Sequence, residues 1–424
     1  MNVKISPGKV AGEISIPGSK SYSHRALICA ALAEGKSSIA NFLESDDTIA
    51  TLKALGALGV GFEKKGSTIV VYGNGGELAV KKNAIDCNLS GSTMRFITPI
   101  AAKAKGTVTI TGKESLLRRP MKEMVDALKQ LKVKLDSNEG RSPITVYGEG
   151  KVNGGRVRIE GNVSSQYISG LLFLSPLCEK GLEIEITTEI ESRPYLEITL
   201  EVMEKFGIKV ENNNWKRLSV KKQKYTAQDY YVEPDYSSAA FMLAAGAIAG
   251  GEVALNNINL ESRQGDKQIL EILKKMNAEI SIENERIIVK KSDLKGIAID
   301  VKDTPDLVPI CAVLGCFAWG TTEIINAGRA REKESDRLAS ISGELKKMGA
   351  CIHEGKDGLV VEGSALHGAR ISHHDDHRIV MACSVAALGV EQGDTVIEGA
   401  EHCAKSYPGF FEDLKKLGAS AKSL

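Results

Sequence analysis

The sequence predicts an α/β protein built from six copies of one unit of about 70 residues. Two interleaved helix patterns recur at that spacing, and short strand-like runs alternate with them. The first pattern is an amphipathic helix ending in a tight turn: TLKALGALGV, VDALKQLKVKL, LEVMEKFGIKV, LEILKKMNAEI, SGELKKMGACI and FEDLKKLGASA. Its turn residue falls at 59, 132, 207, 277, 349 and 418, so the gaps are 73, 75, 70, 72 and 69. Four of these residues are Gly and one is Asn277, types that tolerate the left-handed conformation ending many helices; Lys132 is the exception.

The second pattern is a small-polar or acidic cluster followed by a helix that is apolar nearly all round. It reads SKSYSHRALICAALA, SGSTMRFITPIAAKA, SSQYISGLLFLSPL, DYSSAAFMLAAGAIA, DLVPICAVLGCFA and DDHRIVMACSVAAL. Its anchors are Ser21, Ser92, Ser165, Ser237, Asp306 and His377, spaced 71, 73, 72, 69 and 71. Helices without a polar face are expected to be buried. The period exceeds the ~20–50 residues of ordinary solenoids.

The sixth unit stops at ASAKSL, and the N-terminal NVKISPGKVAGEISI has the strands that unit lacks. Two domains are therefore expected: residues 1–18 with 234–424, and residues 19–233. QDYYVEPD at 228–235, polar and Pro-containing, is the expected crossover. A chain of 424 residues is too long for one ordinary core.

Charge is balanced, Lys+Arg 55 against Asp+Glu 54, so no bulk field favours nucleic acid or an anionic membrane as partner. Any cationic site must be local. Two Trp, 215 and 319, are too few for a base-stacking platform. The longest apolar runs, near 239–251 and 307–320, fall short of the ~18–20 residues of a membrane span. MNVKISPGKV lacks the apolar core of a signal peptide. The eight Cys make no CxxC and show no zinc spacing, which predicts small core residues in a reducing cytoplasm.

The anchors carry the chemistry. A helix N-terminus offers free N–H groups and about half a positive charge, so several aimed at one cleft attract anions. Ser23, Ser238 and Asp235 read as simple N-caps. Lys20 with Arg25, Arg95 after SGST, and Gln166 after Ser164 and Ser165 exceed what capping needs. GSKS lacks the GxxxxGK[ST] spacing of a nucleotide-binding loop, so separate phosphates or carboxylates are the expected ligands. Further loops add Arg118 and Arg119 before Pro120, and Arg329, Arg331, Lys333, Glu334 and Arg337 in NAGRAREKESDR. HHDDHR adds Arg378 and EHCAKSYPGFF adds Lys405. REKESDR alone reads as a solvated helix face. In HHDDH, Asp376 occupies the helix start and leaves His373 outside it, so capping and anion binding are expected there rather than a metal. GNGG at 73–76 and GEGKVNGG at 148–155 read as hairpin turns rather than dinucleotide loops.

PGSKSYSHR, LSGSTMRF, the RP of RRPM, GNVSSQYISG, SRPY, PDLVP, REKESDR, DDHR and CAKSYPGFF occur in this order over nearly the whole chain. Together they resemble the 5-enolpyruvylshikimate-3-phosphate synthases, a branch of the enolpyruvyl transferase family. The resemblance implies a two-domain inside-out α/β barrel with three βαβαββ units per domain, closing on substrates at an active site in the interdomain cleft. It implies transfer of the enolpyruvyl group of phosphoenolpyruvate to the 5-hydroxyl of shikimate 3-phosphate through a tetrahedral intermediate, with phosphate released. The pathway would be chorismate and aromatic amino acid synthesis. No metal and no organic cofactor are implied, and a monomer is expected.

Both substrates carry phosphate and carboxylate groups, which Arg clamps well. By resemblance, Lys20, Gly91, Arg119, Gln166, Arg337, Arg378 and Lys405 hold phosphoenolpyruvate. Lys20, Ser21, Arg25, Ser164, Ser165, Gln166, Ser192, Asp306 and Lys333 hold shikimate 3-phosphate. The transfer needs one proton delivered to the methylene and one removed from the hydroxyl. The resemblance gives these roles to Asp306 and Glu334, with Lys20 and Lys405 beside the moving protons. The helix dipole is expected to keep Asp306 ionised, and Lys333, Arg331 and Arg337 to do the same for Glu334. Arg329 stands where the family often has Asn, and Leu-Ser precedes Gly91 in place of Asn-Ala, with Ser90 a candidate to line the site. Glyphosate occupies the enolpyruvate site in this family, where a side chain at position 91 would crowd it. A sister activity on UDP-N-acetylglucosamine would bring a reactive Cys before the Arg-Pro, and GKESLLRRP has none. A non-catalytic phosphometabolite-binding protein could have lost Asp306 or Glu334; both are present.

Overall fold

The computed structural model describes residues 1–424, the side chain of Glu114 excepted. Besides the single turn Glu114–Leu117, the longer helices alternate between two kinds. In chain order they are α1 (Lys20–Leu32), α2 (Asp46–Ala57), α3 (Gly91–Ala101), α4 (Lys122–Gln130), α5 (Ser165–Leu174), α6 (Pro194–Lys205), α7 (Tyr236–Ala249), α8 (Ile269–Lys275), α9 (Val308–Cys316), α10 (Arg337–Lys347), α11 (His377–Leu388) and α12 (Phe410–Lys416). The odd-numbered helices are the apolar series. All of α9 is buried, and all of α7 except Ser237. The even-numbered helices bury one face only.

Each even helix ends the same way. Gly59, Lys132, Gly207, Asn277, Gly349 and Gly418 all lie in the left-handed region, with φ of 96°, 61°, 82°, 67°, 93° and 93°. One residue on, the N–H closes back over the last turn: Val60 on Leu55 (3.1 Å), Val133 on Leu128 (3.0 Å), Ile208 on Met203 (2.9 Å), and likewise at the other three. This is the Schellman closure. Lys132 therefore takes the glycine conformation despite its Cβ, because the shared turn fixes the backbone.

Six four-stranded sheets share one strand order. Gly155–Ile159 runs parallel to Leu182–Ile186, followed by antiparallel Arg217–Val220 and then Glu211–Asn213 at the edge. The parallel pair brackets a buried helix and the antiparallel pair follows an amphipathic one, giving βαβαββ. Two sheets take their first strand from a distant segment. Val10–Ser15, just before α1, pairs with Gly250–Asn256, and Tyr230–Tyr231, just before α7, pairs with Ile39 and Ala40. QDYYVEPD is thus partly a sheet strand rather than a plain connection. Val3–Ser6 pairs with Thr395–Ile397 on one side and Ser420–Ser423 on the other.

The chain divides into two compact units: Met1–Pro17 with Pro234–Leu424, and Gly18–Glu233. Each has its own core. One is built around α7, α9 and α11 (Phe241, Leu314, Val385), the other around α1, α3 and α5 (Leu27, Phe96, Leu171).

Two local expectations change. The glycine-rich runs are not hairpins: Thr68–Asn74 and Arg141–Glu149 end in them, and the chain passes on to the next sheet. Glycine is needed there because a Cβ on Gly73 would collide with the Ala30 and Ala33 carbonyls, and one on Gly148 with those of Ala101 and Ala104. All eight Cys are free thiols, but Cys351 is exposed on an edge strand, where its Sγ donates to Glu362, and is not a core residue. Among the described residues, no helix is long and apolar enough to cross a membrane.

Candidate active site

In the unit Gly18–Glu233, α1, α3 and α5 each begin with expected site residues. Lys20 opens α1, and its Nζ lies 3.1 Å from Asp47 Oδ2, a carboxylate only 4% exposed. Asp47 escaped the sequence reading because ESDDT looks like helix capping, which Ser45 does perform. The missed signal was a second acidic residue in that turn, which on burial requires a cation. Beneath it runs a chain of hydroxyls: Ser90 Oγ to Thr93 Oγ1 (2.8 Å), Thr93 to Thr51 Oγ1 (2.7 Å), and Thr51 to His24 Nδ1 (2.7 Å). Burial lowers His24 to about 3, so the ring is neutral. Ser90 caps α3 and points inward into this chain, which corrects its expected place lining the site.

Gly91 is the first residue of α3. A Cβ there would lie 2.8 Å from Arg119 Nη1 and 3.4 Å from Arg95 Nη1. Arg95 donates to Gln166 Oε1 (2.7 Å), and Gln166 Nε2 donates to Ser92 Oγ (2.8 Å). Gly91, Arg119 and Gln166 are therefore brought together, with Arg95 as the member that orients Gln166. Ser164 caps α5 by accepting the Gln166 N–H, and Ser165 follows it; both are buried. Arg25 is 2% exposed. It donates to Thr199 Oγ1 (2.8 Å) and to the carbonyls of Ser21 and Tyr195 (both 2.9 Å). Burial pulls it to about 10, so it stays a cation at neutral pH. Three of its five N–H groups are used within the protein. Ser21 is half-buried beside it, and Ser192, buried, precedes α6 at a left-handed φ of 56°.

In the other unit, one guanidinium organises the charges. Arg337, 1% exposed at the start of α10, donates to Asp306 (2.7 Å), Glu334 (2.7 Å) and Asp376 (2.8 Å). Asp306 also meets Arg378 (3.0 Å) and Lys333 (3.4 Å), and Glu334 meets Lys405 (3.3 Å). Asp306, Lys333, Glu334, Arg337, Arg378 and Lys405 thus form one cluster, which sequence scatters over a hundred residues. Burial pushes Asp306 upward, but Arg378, Lys333 and Arg337 outweigh it and hold the carboxyl well below the usual carboxylate range. Burial in turn lowers the Lys333 ammonium.

Asp266 is a neighbour that the sequence reading overlooked. Burial, then repulsion from Asp306, pushes its carboxyl up to about 6. It bonds Ser237 through one oxygen. Of the two carboxyls, Asp306 is the stronger acid, and Asp266 takes up a proton only as pH falls through about 6.

Other expectations are corrected. Arg331 does not approach Glu334: it reaches Asp336 (2.7 Å), Glu354 (2.8 Å) and the carbonyls of Gly355 and Lys356, tying its loop to the next hairpin. Asp235 caps α7, but Ser238 only donates its N–H to that cap, and Ser23 lies inside α1, where its Oγ accepts the Leu43 N–H. Asp376 caps α11 as expected and is also the buried partner of Arg337. His377 is wholly buried within α11, while His373 lies outside it and stacks on His402.

Comparison with known proteins shows the family. A sequence model described as EPSP synthase (3-phosphoshikimate 1-carboxyvinyltransferase) matches residues 5–414. The 3-phosphoshikimate 1-carboxyvinyltransferase of Clostridium novyi is 42% identical over 98% of this chain and 97% of its own. That of Methanocaldococcus jannaschii is 44% identical over 97% of each. Among solved structures, the EPSP synthase of Acinetobacter baumannii superposes with a TM-score of 0.85 at 29% identity, covering 100% of both chains. The enolpyruvyl transferase NikO of Streptomyces tendae shares the fold, with a TM-score of 0.80 at 15% identity over 99% of this chain and 98% of its own. Matched over nearly its whole length by both the family's sequence pattern and its enzymes, the chain belongs to the EPSP synthase family.

Proposed function

We propose that this chain transfers the carboxyvinyl group of phosphoenolpyruvate to the 5-hydroxyl of shikimate 3-phosphate and releases phosphate. The observation that carries the residue roles is the cluster around Arg337: two partly accessible carboxylates, Asp306 and Glu334, each gripped by cations. Arg337, Arg378 and Lys405, with Lys20, Arg119, Gln166 and the backbone at Gly91, bind phosphoenolpyruvate. Ser21, Arg25, Ser164, Ser165, Ser192 and Lys333, with Lys20, Gln166 and Asp306, bind shikimate 3-phosphate.

The proton balance follows. The ionised Asp306 accepts the hydrogen bond of the 5-hydroxyl and takes its proton as the new C–O bond forms. The Lys405 ammonium, held by Glu334, delivers a proton to the methylene, giving a methyl group on a tetrahedral carbon. On elimination the methyl proton returns to the Lys405–Glu334 pair, and the proton on Asp306 passes to the departing phosphate. The surrounding guanidinium groups stabilise charge on the phosphate as it leaves.

The test is product analysis. Purified protein with both substrates should yield one carboxyvinyl ether and one phosphate per turnover, and Asp306→Asn should lose most turnover while keeping its fold. Absence of the ether from the wild-type reaction contradicts the assignment.

A further inference from the structure

We propose that His373, Asp375 and His402 form a binding site for a divalent transition-metal ion. Their donor atoms all lie within 4.8 Å of one another. Asp375 Oδ1 is 3.3 Å from His373 Nδ1 and 3.7 Å from His402 Nε2. Bonds of ~2.0–2.1 Å at tetrahedral angles put donors about 3.3 Å apart, so two edges are already near the required length. The two imidazoles stack with centroids 4.3 Å apart and planes at 15°, presenting their edges to the same carboxylate.

The surroundings hold these groups in place. Glu344, a buried carboxylate, accepts the Ser372 N–H (3.0 Å) and pairs with His374 Nε2 (2.6 Å), anchoring the loop from below. His374, between the two first-loop donors, and Asp375 itself both adopt left-handed backbone, φ 50° and 55°. Gly399 leaves room for the His373 ring: a Cβ there would lie 2.5–2.9 Å from that side chain. The Asp375 N–H donates to His373 Nδ1 at 2.9 Å, so in the neutral ring this nitrogen holds a lone pair, and metal binding exchanges that hydrogen bond for a coordinate bond.

Two imidazoles and one carboxylate suit Zn²⁺, Co²⁺, Ni²⁺ or Cu²⁺ rather than Mg²⁺ or Ca²⁺. Side-chain exposures of 33%, 58% and 22% leave the remaining positions to water. The donors come from separate segments, so a bound ion would tie the loop before α11 to the turn Ala400–Lys405. None of the three is given a role in the transfer reaction.

The experiment is titration of the whole protein, on a Cys351→Ser background to remove the exposed thiol, with Co²⁺ followed by visible absorption and with Zn²⁺ by calorimetry. One ion per chain is expected. His373→Ala and His402→Ala should each weaken binding at least roughly tenfold, the loss that disturbing even an outer partner can cause, and His353→Ala should not. Thermal unfolding checks that each variant is folded, and Asp375→Asn provides a milder change with the same expected direction. Failure to saturate at one ion, or undiminished binding in a folded His373→Ala/His402→Ala double variant, overturns the site.

Discussion

Arg337 and Asp376 form an ion pair with almost no access to water: Nε lies 2.8 Å from Oδ2, and the side chains are 1% and 0% exposed. The pair joins the start of α10 to the cap of α11. Removing one member of a buried pair leaves a desolvated charge and typically costs about 3–5 kcal/mol. Asp376→Ala is therefore expected to lower unfolding stability by roughly that amount in urea denaturation, since it also removes a helix cap. A loss below about 1 kcal/mol, the scale of an exposed pair, would contradict this reading.

Asp266 should give the protein a pH dependence opposite to that of ordinary salt-bridged carboxylates. Its carboxyl is pushed up to about 6 by burial and by Asp306, whereas an unfolded aspartate titrates near ~3.9. Between those values the folded chain holds a proton that the unfolded chain releases. The contribution is thus full below about pH 4 and lost as pH rises through about 6. At 1.36 kcal/mol per pKa unit the loss is roughly 3 kcal/mol. Asp266→Asn removes this titration, so its stability relative to wild type should rise by about that much between pH 4 and pH 7. Parallel pH profiles for the two proteins would count against the assignment.

Gly91→Ala tests how closely substrate approaches the start of α3. The added Cβ would meet the ends of Arg119 and Arg95, flexible groups that can yield, and no positive φ is involved. Stability should change little. Displacing Arg119 should raise KM for phosphoenolpyruvate on the order of tenfold, from an overpacking cost of about 1–3 kcal/mol. An unchanged KM would place the substrate elsewhere.

Lys132 pays a conformational penalty that its five counterparts avoid or reduce. The left-handed region costs an ordinary residue about 1–2 kcal/mol, while glycine's extra chain entropy costs about 0.5–1 kcal/mol. Lys132→Gly, at an exposed position, should therefore stabilise the chain by about 0.5–1 kcal/mol, seen as a higher Tm. A lower Tm would mean that the lysine side chain contributes more than its backbone costs.

Lys132 also shows what is legible in a sequence of this kind. The six-fold repeat could be read because left-handed helix ends favour Gly or Asn, and because helices buried all round need apolar residues throughout. The cations could be read because charge at the start of an apolar helix has few structural uses. Their partners could not. Lys20 meets Asp47, Arg337 meets Asp376 and Arg378 meets Asp306 between separate helix starts, 27, 39 and 72 residues apart. Nearness in sequence misled for Arg331, three residues from Glu334 yet bonded to Glu354. The glycine-rich turns failed for a similar reason. A hairpin and a sheet-to-sheet turn use the same residues, and only the strand partners distinguish them.

The most direct test of the proposed transfer is phosphate release from phosphoenolpyruvate, measured with no added metal, in parallel with shikimate 3-phosphate and with UDP-N-acetylglucosamine as acceptor. The residue assignments predict release that depends on shikimate 3-phosphate and is absent with the nucleotide sugar. Release only with the nucleotide sugar, or with neither acceptor, would contradict them.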